Sequence, residues 1–137
     1  MDKEQHLIGR CNCGRIAFKI TGKVGPVGQC HCSKCRRASG TDGNAVFYTS
    51  FSSLTFQSGE DQVSTFDSDG WIHTFCSNCG SPTPHTNPDK KIWFVPAGLM
   101  NGDIGHQGYA AHIYVRSKAP WVQITDDAPQ FDEGFES

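Results

Sequence analysis

Long apolar runs are missing from this sequence. None approaches the roughly 20 residues that a membrane-spanning helix needs, and the opening stretch MDKEQHLIGR is polar, without the apolar core of a secretion signal. A strong charge of either sign is missing too. Twelve Lys and Arg against 14 Asp and Glu leave a formal net charge of -2, which argues against the basic face that a nucleic-acid partner favours. No membrane, no nucleic acid and a cytoplasmic location are therefore expected. Low-complexity linkers are absent, as are internal repeats beyond the cysteine pairs. The chain has 137 residues, one domain's worth of core. The expectation is a single domain over 1–137 with a core of about 8–131. The acidic tail TDDAPQFDEGFES is expected to be loosely attached.

Cysteine, by contrast, is plentiful. Seven are present, an odd number, and they fall in three clusters: RCNCG with Cys11 and Cys13, QCHCSKC with Cys30, Cys32 and Cys35, and FCSNCG with Cys76 and Cys79. In a reducing compartment clustered cysteines are metal ligands more often than disulfides.

The rest of the chain is organised as short strands. RIAFKITG (15–22) alternates apolar Ile16, Phe18 and Ile20 with polar neighbours and ends on a glycine. GNAVFYT (43–49), SLTFQSG (53–59), DQVSTFDS (61–68), GWIHTFC (70–76), KIWFVPAG (91–98) and GYAAHIYVR (108–116) read likewise, and their close, regular turn signals predict a mainly β domain. Only SKCRRASG (33–40) has room for a helical turn, closed by Gly40. Trp71, Trp93, Trp121, Phe18, Phe47, Phe56, Phe75 and Phe94 are expected in the core, and Phe51 and Phe66 fit either side. AHIYVRSKAPW reads as a strand that turns at Pro120 and docks Trp121.

Spacing divides the cysteines four plus three. Residues i and i+2 of a strand share a face, so Cys11 and Cys13 can aim two sulfurs at one ion. Cys76-Ser-Asn-Cys79 is a knuckle, with Gly80 supplying backbone freedom just after it. Together the two pairs make the ligand set of a structural zinc. Cys30, Cys32 and Cys35 can wrap a second ion and leave one position open, as catalytic zinc is held. Alternatively the triplet is a second structural site closed by a histidine: His31, His73, His85, His106 or His112. His31 should point away from Cys30 and Cys32 if that segment is extended. Two zinc ions per chain are expected, the second more labile.

The order C-x-C, C-x-C-x₂-C, C-x₂-C, carried by GRCNCGRIAFKITG, CHCSKCRRASGT, FCSNCGSP, FVPAGLMNGD and HIYVRSKAPWVQITDDAPQF, resembles the glutathione-dependent formaldehyde-activating enzyme family, which also contains centromere protein V. The resemblance spans roughly residues 8–131. It implies small antiparallel sheets of the β-tent type. It also implies a structural zinc on Cys11, Cys13, Cys76 and Cys79, and a catalytic zinc on Cys30, Cys32 and Cys35. The implied activity is that of a carbon–sulfur lyase, joining glutathione or a related thiol to formaldehyde as S-hydroxymethylglutathione. A thiol on such an ion loses its proton at neutral pH. Lys34, Arg36 and Arg37 can offset the sulfur charge or hold the carboxylates of glutathione, or they form an ordinary solvated basic turn. Arg116 and Lys118 can reach an anionic ligand. One departure from the family is SPTPHTNPDKK, polar and proline-rich after the last cysteine pair; it is expected to shape a pocket mouth. The alternative is a non-catalytic zinc module that binds a protein partner or carries glutathione. A nucleic-acid-binding zinc ribbon is disfavoured by the charge.

Overall fold

A computed structural model of the chain describes residues 6–134. The chain divides into two compact units, each assembled from two separate stretches. The first takes the residues up to 25 and 48–105; the second takes 26–47 and the residues from 106 onward. The fold is mainly β, with small, mostly antiparallel sheets and, among the described residues, one α-helix.

In the first unit, β1 (His6–Arg10), β2 (Ala17–Thr21), β5 (Leu54–Ser58) and β10 (Met100–Asn101) make an antiparallel sheet in the order β10-β1-β2-β5. The alternation read in RIAFKITG sets its inward face: Phe18 and Ile20 are buried, with Leu7 and Leu54 beside them. Gly9 lies opposite Phe18, and a Cβ there would fall on the Phe18 ring, so only glycine lets the ring lie across β1. Two hairpins complete the unit. β6 (Val63–Ser68) pairs with β7 (Trp71–Cys76), and β8 (His85–Asn87) pairs with β9 (Ile92–Pro96). Phe56 packs edge-on to Phe18 and Trp93, and Phe51 edge-on to Trp93. Trp71 and Phe75 are half-buried and sandwich His73 on one face of β7. Phe66, opposite His73, remains 58% exposed.

In the second unit, β3 (Gly28–Cys30) pairs antiparallel with the start of β4 (Asn44–Ser50) and parallel with β11 (Ala111–Ile113). Helix α1 (Ser33–Ser39) follows β3 and is closed by Gly40 in the left-handed conformation, as its sequence predicts. The buried side chains here are Val27, Cys30, Cys35, Phe47, Ala111 and Ala119, together with the polar Gln29, His31 and His112.

Three expectations need correcting. The strand expected over 108–116 is confined to Ala111–Ile113, because Tyr114 takes a left-handed φ of 54° and a short 3-10 turn, Val115–Ser117, follows. Trp121 does not dock. A turn closed by Val122 N–H on Ala119 O (3.0 Å) buries Ala119 and leaves the indole 72% exposed. The tail is not loose through residue 134. Its backbone follows β11, with His112 N–H on Pro129 O (2.9 Å), Phe131 N–H on His112 O (2.9 Å) and Tyr114 N–H on Glu133 O (2.8 Å). Its last three residues lie outside the described residues.

Candidate metal centres

Two cysteine clusters form, one in each unit. Cys11 and Cys13 sit just after β1 in a turn, not in the extended strand that their spacing suggested. The turn closes when Gly14 N–H donates to Cys11 O (3.1 Å), with Gly14 at φ 81°, and Arg10 Nη1 caps the carbonyls of Cys11 (3.2 Å) and Asn12 (3.1 Å). Cys76 ends β7. Its carbonyl accepts from Gly80 N–H (2.8 Å) while its own N–H donates to Ser81 O (2.8 Å). Each pair of sulfurs is thus presented by a tight turn that ends on a left-handed glycine. The two turns are joined by Asn12 N–H donating to Ser81 Oγ (2.9 Å). Buried Cys11 and Cys76 pack with Ile16, and Phe56, Val63 and Cys79 close around them.

The sulfur geometry fits an ion. Cys11 and Cys13 Sγ are 3.5 Å apart, Cys13 and Cys76 Sγ 3.8 Å, and all four lie within 4.8 Å of one another. Zinc–sulfur bonds of about 2.3 Å at tetrahedral angles place sulfurs about 3.8 Å apart. Charge is shared unevenly among them. Hydrogen bonding by the Ser81 hydroxyl, then by the backbone of Ser81 and Cys13, brings the Cys79 thiol down to about 5. The Asn78 side chain lowers Cys13, whereas burial raises Cys11. A cation is what allows the buried member to ionise beside the others.

The second cluster is built on six residues of chain, Cys30 to Cys35. Cys30 ends β3. Cys32 is the N-cap of α1, with φ -64° and ψ 155°, and its Sγ accepts Cys35 N–H at 3.2 Å, the role a serine or aspartate oxygen plays at other helix starts. Cys35 is buried on the first turn. The three sulfurs lie within 4.8 Å of one another. Hydrogen bonds from the Cys30 and Cys35 thiols hold Cys32 down to about 2. The bond to Cys32 pushes Cys30 up to about 11, and Cys30, then Cys32, raise Cys35. Like charges this close oppose one another's ionisation, and a cation between the sulfurs would favour loss of their protons. Their chemistry and spacing suit a thiophilic ion.

Among the described residues, no histidine or carboxylate joins either set. The histidine closure weighed for the triplet is therefore not formed. His31 faces away, as an extended segment requires, and its Nε2 lies 2.9 Å from His112 Nδ1. His73 stacks in β7, His85 stacks on Phe94, and His106 is exposed. Burial lowers the pKa of His31, His73 and His85 alike. Lys34 stands on the first turn of α1, and Arg36 and Arg37 on its last, where cations also complement the helix dipole. Arg37 is exposed, and the buried Nε of Arg36 has no hydrogen-bond partner. Arg116 and Lys118 are engaged within the chain: Arg116 with Glu133 at 2.8 Å, Lys118 Nζ with Val122 O at 2.6 Å. The proline-rich stretch after Cys79 forms β8 and is pinned to β7, with Thr83 N–H on Thr74 O (3.1 Å) and Thr83 Oγ1 on Thr74 Oγ1 (2.7 Å). What sequence reasoning missed is the chain His31–His112–Asp126. The two histidines are 81 residues apart, and no local spacing announces such a contact.

A family model described as glutathione-dependent formaldehyde-activating enzyme matches residues 6–117. No curated protein matches the chain. Among solved structures, a Rhodobacter sphaeroides protein is similar in fold, with a TM-score of 0.55 and 22% identity over 70% of this chain and 89% of that one.

Proposed function

Because the chain belongs to the glutathione-dependent formaldehyde-activating enzyme family, we propose that Cys30, Cys32 and Cys35 form its reaction centre, where glutathione or a related thiol joins formaldehyde. In that reading Cys11, Cys13, Cys76 and Cys79 hold a structural zinc. The observation that carries it is the inequality of the two clusters: one offers a full tetrahedron of sulfur, the other three sulfurs and no fourth donor among the described residues. A zinc ion at the triplet supplies a thiophilic Lewis acid that lowers the pKa of an incoming thiol. The chain's own part is to keep three sulfurs converged, through β3 on one side and the cap of α1 on the other. Lys34, Arg36 and Arg37 supply positive charge for the substrate's carboxylates. The balance is simple. The thiol sulfur bonds the carbonyl carbon, the C=O π pair moves to oxygen, and the proton given up by sulfur ends on that oxygen as S-hydroxymethylglutathione. Read in reverse, the activity is that of a carbon–sulfur lyase. The seven free thiols suit a reducing compartment such as the cytoplasm, and among the described residues no helix is long and apolar enough to cross a membrane.

Calorimetry on zinc-loaded protein tests this. Glutathione should bind with release of a proton, seen as a dependence on buffer ionisation enthalpy, and S-methylglutathione should bind far less well. Adduct formation should exceed the spontaneous rate and fall to it in Cys32→Ser. Binding without acceleration would leave a glutathione carrier, and equal binding of the two ligands would remove the thiolate chemistry.

A further inference from the structure

The second unit contains a polar chain, buried at its two histidines, that the reaction centre does not use directly. His112 Nε2 lies 3.1 and 3.0 Å from the two carboxylate oxygens of Asp126, and His112 Nδ1 lies 2.9 Å from His31 Nε2. A carboxylate only accepts, so His112 carries a hydrogen on Nε2, and as a neutral ring it presents a bare Nδ1. His31 must then donate from Nε2. One pair of neutral tautomers satisfies both contacts of His112 and leaves His31 Nδ1 buried without a hydrogen-bond partner, and both rings are buried, at 1% and 3% exposure. Asp126 is in turn oriented by Ala128 N–H at 2.9 Å, and that bond, followed by His112, holds its carboxyl below the usual range.

His31 is the residue between Cys30 and Cys32. Strand alternation puts its ring on the face of Gln29 and His112, opposite Cys30. Its backbone N–H is also held, by Ile113 O at 2.9 Å. A ring seated on one side and a backbone held at the same residue leave little freedom to the peptide units that carry the two flanking sulfurs. At the four-sulfur site the residues that separate the ligands, Asn12, Ser77 and Asn78, have exposed side chains, and the bonds that hold their backbone, Asn12 N–H on Ser81 Oγ (2.9 Å) and Ser77 N–H on Gln62 O (2.9 Å), lie within the first unit, so loss of His112 or Asp126 removes none of them.

We propose that His112 and Asp126 are positioning residues for the three-sulfur centre, acting through His31. The segment after residue 117, beyond the matched family region, thereby governs how tightly that centre holds its ion. The inference rests on the reading of the triplet as a metal centre. Metal ligands and the residues that orient them share this dependence, and loss of an orienting partner typically weakens metal affinity 10- to 100-fold.

The test titrates Co²⁺ into full-length protein whose four-sulfur site is zinc-filled and whose second site has been emptied by a mild chelator. Thiolate-to-cobalt and ligand-field absorption then report affinity and geometry of the triplet alone. Asp126→Ala should weaken Co²⁺ binding by about 10-fold or more and shift the ligand-field bands, Asp126→Glu should restore most of the affinity, and zinc retention at the four-sulfur site should not change. His112→Ala should behave like Asp126→Ala or worse; should it fail to fold, the Asp126 pair decides, since that side chain is 42% exposed. Unchanged Co²⁺ affinity and spectrum in Asp126→Ala, or equal loss at both sites, overturns the proposal. If the wild-type triplet takes up no Co²⁺, the metal-centre reading fails with it.

Discussion

The two cysteine clusters use one kind of ligand and opposite construction. In the first unit the sulfurs come from two turns, with Cys13 and Cys76 63 residues apart in sequence, so an ion there ties distant strands together and its binding energy is folding energy. In the second unit the sulfurs come from one continuous segment, whose ends are already fixed by β3 and by the helix cap. That cluster closes almost no loop. An ion there adds little to the fold, and the fold spends little on holding it. The difference shows why one site can be left with a position open: an incomplete ligand set is tolerable only where stability does not depend on it.

The largest expected effect follows directly. Cys76 is fully buried against Cys11 and Ile16, so Cys76→Ser removes a sulfur ligand and leaves a buried hydroxyl among apolar neighbours. It should abolish soluble folded protein. Cys32→Ser should leave a soluble fold with one zinc where the proposal gives the wild type two, since serine can still cap α1. Soluble yield, circular dichroism and metal count check both. If the two variants melt alike and lose solubility alike, the contrast between the sites is gone and the triplet is structural.

Next in size is the response to chelators. Three sulfurs enclose an ion less completely than four, so a competing chelator should remove zinc in two phases. The fast one should be assigned to the triplet by its absence in Cys32→Ser. Proton uptake should accompany the fast phase, because Cys30 and Cys35 are raised while the site is empty. A single phase releasing both ions would erase the distinction.

This asymmetry was legible in the sequence, because ligand number and local spacing are sequence properties. The strands built on alternation, such as Ala17–Thr21 and Trp71–Cys76, were legible for the same reason. β1, β3, β8 and β10 were not. They are short or lack alternation, and they exist because a neighbouring strand accepts them, as β2 accepts His6–Arg10 residue for residue. The turn at Cys11 was misread because C-x-C spacing fits a strand and a turn equally, and the deciding bond, Gly14 N–H on Cys11 O, is conformational. Trp121 was misread because size argued for burial while a local turn decided its direction. The docking of the tail and the His31–His112–Asp126 chain rest on contacts between remote segments, which no window of sequence contains.

A smaller effect is an acid sensitivity that both units share, since burial lowers His31 in the second as it lowers His73 and His85 in the first. Burial, then the charge of His73, lowers the pKa of His85, and burial lowers His73. Both belong to the first unit. Above about pH 6.5 neither the folded nor the unfolded chain protonates them, and they contribute no slope. Below it the unfolded chain takes up protons that the folded one refuses, so stability falls as the pH falls. His85→Gln should flatten that fall between pH 7 and 5.5, measured as melting temperature with metal content followed in parallel. An unchanged slope in the variant would assign the acid sensitivity to His31, His73 and the cysteine ligands instead.

The smallest effect is a matched pair of glycine substitutions. Gly80 in the first unit and Gly40 in the second both take left-handed φ, 80° and 70°, and both donate N–H at 2.8 Å to a carbonyl four residues back, Cys76 O and Arg36 O. At neither would an added Cβ meet an atom within 4 Å. Alanine therefore costs each site only the left-handed backbone, about 1–2 kcal/mol, which lowers the melting temperature by several degrees. Since the backbone cost is matched, any difference in metal retention reports how each ion depends on its turn. Gly80→Ala should keep its ion, because four sulfurs from two turns share the strain. Gly40→Ala should keep its ion as well, because the cap lies past Cys35 and the N-cap bond from Cys35 N–H to Cys32 Sγ is untouched. Loss of the structural zinc in Gly80→Ala would mean that the turn, rather than the count of sulfurs, is what makes the first site strong, and the explanation of the asymmetry would pass from ligand number to backbone geometry.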